Sequence, residues 1–242
     1  MTRLRDLYGR AVAGPAYPPE AADLAEIRIF GVELPARATV SVLAATALLV
    51  VDHLDWLLQA GTSAGLGDGL RAVSVERFVL FLVVPAGIVV FGFRDDLGRY
   101  GLRLGDWRWG LGLLLAGLAV MTPIILALSG VESFRSFYGA APRPVSLVLA
   151  NGLVELIPAE FLFRGFLMFA LWRRIGALAI VVVQVPFVLT HFGKPDIELW
   201  STFFGGTVFA WLNWRTGSIL WSALGHVYVL TLMLVAVGGA TL

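Results

Sequence analysis

Long apolar runs recur along this chain, at 39–60, 75–93, 107–129, 145–172, 176–192, 197–214 and 217–240, parted by short charged or Gly/Pro-containing breaks. A helix crossing the hydrocarbon core of a bilayer needs about 20 mostly apolar residues, so each run reads as one spanning helix. The expected fold is all-α: a polytopic transmembrane bundle of about seven helices over 39–242, preceded by an arm over 1–38. Composition points the same way. The chain is 58% hydrophobic and 14% charged, with a mean hydropathy of +0.83. A soluble domain carries about 25% charge, so a water-soluble globule is excluded. Eighteen Lys and Arg against 17 Asp and Glu leave a net charge of +1, with no basic block, which excludes nucleic acid as a partner. The absence of cysteine removes disulfides, thiolate metal sites and a thiol nucleophile. Any chemistry must come from His, carboxylates and hydroxyls.

The arm holds five Arg, five acidic residues and the run Gly14-Pro15-Ala16-Tyr17-Pro18-Pro19, too polar for the apolar region of a signal peptide. The first helix is therefore expected to be an uncleaved anchor. With seven spans, the arm and every second break collect twelve of the 18 basic residues, among them Arg37, Arg99, Arg103, Arg173 and Arg215. The other breaks hold Arg71, Arg77, Arg135, Arg143 and Lys194, and Arg164 lies within a helix. Cytoplasmic loops carry the Lys/Arg excess, so the N-terminus is expected inside and the C-terminus outside.

An ionisable side chain near the bilayer centre costs on the order of 2.5–3.5 kcal/mol on insertion scales, which makes each one a functional candidate. The fourth run contains Glu155, Glu160 and Arg164, the fifth Gln184 and His191, and the last His226. Glu160 and Arg164 are four apart, at ion-pairing distance on one helical face; the pair serves either to neutralise two charges for insertion or to build a site. Gln184 lies seven residues before His191, on the same face. Pro158 and Pro186 each remove a main-chain hydrogen bond and tend to kink their helices. Together these residues predict a polar interior lined by the fourth, fifth and last helices. Asp52-His53-Leu54-Asp55 fits either a headgroup-level helix end anchored by Trp56 or a metal or proton site.

Three segments carry a resemblance: Pro158-Ala-Glu-Phe-Leu-Phe-Arg-Gly165, Phe187-Val-Leu-Thr-His191, and Arg215-Thr-Gly-Ser-Ile-Leu-Trp-Ser-Ala-Leu-Gly-His226. Their order resembles the signature of the CPBP family of CAAX-prenyl-protease and bacteriocin-processing intramembrane proteases, also called the Abi family. That signature is Glu-Glu-x-x-x-Arg, Phe-x-x-x-His and His-x-x-x-Asn on three helices of a bundle. The resemblance covers about 145–240, and Tyr100-Gly-Leu-Arg-Leu-Gly-Asp-Trp-Arg-Trp-Gly110 is similar to the segment preceding this domain in bacterial members. It implies a CPBP-like core in the C-terminal half, a bacterial plasma-membrane location and a membrane-embedded or lipid-modified peptide as substrate.

Carried over by position, the resemblance makes Glu160, His191 and His226 catalytic, with Arg164 as the ion-pair partner of Glu160. Two positions depart from it. Ala159 stands where the family has its first glutamate, held to activate water, and Leu230 where it has the Asn that stabilises the oxyanion. Glu155, about 40° from position 159 on the helical wheel and one turn away, is the candidate replacement base, and Tyr228 or Thr231 the candidate oxyanion donor. Zinc held by His191 and His226 with a carboxylate is the metal alternative; a glutamate and histidine set needs none, and no cofactor is expected. Two classes of function fit: an intramembrane endopeptidase, or a degenerate member serving as a membrane scaffold, immunity or assembly factor.

Overall fold

The computed structural model describes residues 9, 13–54, 72–139 and 142–241. Ahead of the helices, strands β1 (Glu26–Ile29) and β2 (Val32–Pro35) form an antiparallel hairpin. Phe30 and Gly31 at its tip both have positive φ, 49° and 83°, the geometry that lets a two-residue turn match the twist of its strands. Helix α1 (Ala36–His53) follows directly, then α2 (Val73–Gly92), α3 (Trp107–Leu128), the short α4 (Glu132–Tyr138), α5 (Val145–Ile175), α6 (Leu178–Leu189), α7 (Asp196–Thr216) and α8 (Leu220–Ala236). The protein is an all-α helical membrane bundle. Each expected apolar run contains a helix, but by length and composition four of the described helices, α1, α2, α3 and α5, can cross a membrane. α6 and α8 are apolar but shorter. The continuation of the first helix to residue 60, with Asp55 and Trp56, lies outside the described residues.

α5 is the centre of the bundle. It touches α2 on one side and α8 on the other, and α8 also packs along α3. Its middle, Phe161–Leu167, is a π-helical segment in which all seven residues are buried, and a π-bulge of this kind often accompanies a functional site. Gly165 lies within it because a Cβ there would meet the Phe161 ring at 2.6 Å and the Tyr100 carbonyl at 2.7 Å. Packing of this density between α5 and its neighbours holds the polar groups of its middle in place.

Both ends of the bundle are tied by charge. At one end, buried Asp23 accepts from Arg37 Nη1 and Arg99 Nη2, each at 2.6 Å, and Asp95 accepts from the same two arginines at 2.8 Å. Arg173, near the end of α5, donates to the Arg99 carbonyl, while Arg103 donates to the Gly217 carbonyl. The arm, the 93–106 link, the end of α5 and the 217–219 turn thus gather on one side. At the other end Arg77 binds Asp52 and Glu155. Tyr138 donates to Glu198, which also pairs with Lys194, and the two-residue strands β3 (Arg143–Pro144) and β4 (Ala240–Thr241) pair in parallel.

Candidate active site

α5, α6, α7 and α8 bring one group of polar side chains together in the bundle interior. Glu160, fully buried, is its hub: Oε1 accepts from Arg164 Nη1 at 2.6 Å and lies 3.0 Å from His226 Nδ1, while Oε2 accepts from Ser222 Oγ at 2.7 Å. A carboxylate taken out of water needs its lone pairs satisfied, and here three side chains do so. The Arg164 guanidinium continues over the Phe187 ring, 3.9 Å from its centroid. The same ring is 4.7 Å from the His191 ring and 6.2 Å from that of His226. Phe187 thus lies against two imidazoles, one from the turn after α6 and one from α8, and the ring of Phe209 of α7 is 5.9 Å from that of His226.

Hydrogen bonds define both imidazoles. His226 Nδ1 faces a carboxylate and His191 Nδ1 faces the Phe187 carbonyl at 2.9 Å. Both of these partners only accept, so each Nδ1 donates a proton there, and in the neutral ring Nε2 is the nitrogen left to accept. Behind Arg164 the satisfaction is incomplete. Its Nε and Nη2 and the Oε1 of Gln184 are buried without a hydrogen-bond partner among the described residues, and they converge on the face of α7 at Gly206, where a Cβ would clash with Gln184 Oε1 and stand 3.1 Å from Arg164 Nη2.

The other predicted site residues lie elsewhere. Glu155 is held by Arg77 and accepts from Ser74 Oγ at 3.3 Å, and no hydrogen bond or ion pair joins it to an imidazole among the described residues. α5 continues through Pro158, and Glu155, a turn before it, is engaged by Arg77. Tyr228 bonds Thr122 of α3 at 2.7 Å; since Thr122 gives its own proton to the Leu118 carbonyl, Tyr228 is the donor. Thr231 Oγ1 is buried with no partner among the described residues. Ala159 packs against the main apolar core. Asp52 pairs with Arg77; Asp55 lies outside the described residues, and among the described residues no group of three or more His, Asp or Glu is placed to hold a metal. Sequence reading missed Ser222 and Phe209. Ser222 was findable, since it precedes His226 by four residues, the spacing that joins Glu160 to Arg164.

Residues 141–232 match the family model described as type II CAAX prenyl endopeptidase Rce1-like. Over that segment the chain is similar to Rce1-like endopeptidases. The matched bounds enclose the whole cluster from Glu160 to His226, in agreement with the CPBP resemblance, and make this segment similar to membrane peptidases of that family. The arm, α1, α2, α3 and α4 precede the Rce1-like segment, and the arginine knot and Arg77 join them to it. No curated protein and no solved structure matches the chain.

Proposed function

We propose that the protein is an intramembrane endopeptidase in which His226, oriented by Glu160, activates water for attack on a peptide bond of a membrane-embedded or lipid-modified polypeptide. The 3.0 Å contact between His226 Nδ1 and Glu160 carries this reading, because it leaves Nε2 as a base of fixed direction, the arrangement by which a buried carboxylate prepares a histidine for catalysis. His191 offers a second Nε2 in the same tautomer. The water oxygen bonds to the carbonyl carbon while an imidazole takes the water's proton; the C–N bond then breaks and that proton passes to the leaving amine. Glu160 is a positioning residue, since Arg164, His226 and Ser222 already occupy its oxygens. No cofactor takes part, and zinc is not needed where imidazoles act as bases. Glu155 stands outside the chemistry, and the N-terminal arm lies in the cytoplasm.

Ala159 favours a second reading. With no carboxylate at that position and Glu155 engaged by Arg77, the same bundle would serve as a scaffold, immunity or assembly factor that binds a membrane partner and cleaves nothing. Purified protein reconstituted in liposomes with a membrane-anchored fluorogenic peptide separates the two. The peptidase predicts cleavage that falls about a hundredfold or more in His226→Ala and in His191→Ala, as loss of a general base does, and that persists in Glu155→Gln. If the parent cleaves nothing and Ala159→Glu does, the scaffold reading holds and the domain has lost its base.

A further inference from the structure

A second polar site lies at the end of the bundle that carries the arginine knot, away from the imidazoles. A cavity of about 560 Å³ opens there between the arm and the 103–106 link, lined by Gly14, Arg103, Gly105, Asp106, Arg215 and Thr216. Two guanidiniums and one carboxylate face it, an excess of one positive charge. Arg103 is oriented by its Nε bond to the Gly217 carbonyl at 2.9 Å, with its guanidinium also bonded to the Tyr17 hydroxyl, and it lines the cavity. Arg215 is nearly buried, stacks over the Trp109 ring at 4.9 Å and contacts Asp106 at 3.4 Å. Asp106 is only partly committed to it, because its other oxygen caps α3 through Trp109 N at 3.3 Å.

The level of this cavity in the bilayer says what could fill it. Three tryptophans lie at this level at the ends of α3 and α7: Trp109 stacks with Arg215, Trp214 packs against Gly14, and Trp107, half exposed, follows Asp106. Tryptophans at helix ends settle at the headgroup layer, and basic pockets between helices at that depth take lipid headgroups. We infer that this cavity binds the phosphate of an anionic phospholipid headgroup, through Arg103 and Arg215, with Asp106 as an internal competitor for Arg215. The site does not depend on the peptidase reading. A free phosphate ion shares the charge but lacks the acyl chains that the adjoining lipid-facing helices would cover, so the lipid is the favoured source.

The test uses the full chain in a neutral detergent, titrated with short-chain phosphatidylglycerol, short-chain phosphatidylcholine and inorganic phosphate, with binding read by thermal shift and native mass spectrometry. Phosphatidylglycerol should bind more tightly than either other probe. Arg103→Gln should weaken it about fivefold, the effect of one basic residue near an anionic lipid, while Arg94→Gln, outside the cavity, should not. Asp106→Asn keeps a residue that can cap α3 and removes the competing charge, so it should tighten binding several-fold in a protein that still folds. Equal binding of phosphatidylcholine, equal binding of phosphate, equal effects of the Arg94 and Arg103 variants, or no gain from Asp106→Asn would each overturn the site.

Discussion

Two adjacent glycines of α7 measure how closely the active-site cluster is packed. Gly206 faces Gln184 and Arg164 with no room for a Cβ, whereas a Cβ on Gly205 meets nothing within 4 Å. Gly205→Ala should stabilise the protein by about 0.5–1 kcal/mol through helix propensity. Gly206→Ala should destabilise it by about 1–3 kcal/mol through overpacking; opposite shifts in the thermal midpoint would verify the assignment of faces. Arg164→Ala should be more damaging, about 3–5 kcal/mol, because it strips a buried carboxylate of its cation, and a sharp fall in expression and thermal midpoint is the expected sign. At this scale the sequence is informative where partners share a helix. Glu160 and Arg164 declare themselves by spacing, and Ser222 with His226 obeys the same rule. The link between Glu160 and His226 spans 66 residues, and the one between Arg77 and Glu155 spans 78; no local pattern encodes either.

Among the elements, the hairpin and the arginine knot form one unit with a defined pH response. Burial raises the proton affinity of Asp23, but the Glu20 N–H and the Arg37 and Arg99 guanidiniums outweigh it and hold the carboxyl below its ordinary range. A carboxylate depressed in this way stabilises the fold at pH values above its unfolded pKa, near 3.9, and loses that contribution as pH falls through the folded value. Hydrogen exchange in β1 and β2 should therefore stay slow from neutral pH down to about 5 and rise only in stronger acid. Asp23→Asn should show fast exchange there at neutral pH. The helices themselves were legible from apolar run length. The hairpin was not, since its four-residue strands lie in a segment rich in charge and proline, and what keeps them in place is the distant Asp95, Arg99 and Arg173.

For the whole molecule, grouping of the basic links at one end makes orientation measurable. The chain has no cysteine, so single cysteines report without background. One replacing Phe30, fully exposed at the hairpin tip, should resist a membrane-impermeant maleimide in intact cells, and one replacing exposed Arg143 on the opposite end should react. The reverse pattern would invert the topology.

The helices also differ in reach. At 1.5 Å per residue, the 31 residues of α5 extend about 46 Å, against a hydrocarbon layer of about 30 Å. α6, Leu178–Leu189, extends only about 18 Å. A helix that long can tilt or project beyond the hydrocarbon layer, and one that short, if it spans, can draw the leaflets together beside it. If α6 spans the bilayer, thinning beside it would bring the aqueous phase towards His191, two residues beyond its end. Lipid thickness then becomes a control on function: turnover of the anchored peptide should rise in liposomes of shorter acyl chains and fall in longer ones, while a site supplied with water from within the bundle would be indifferent to either.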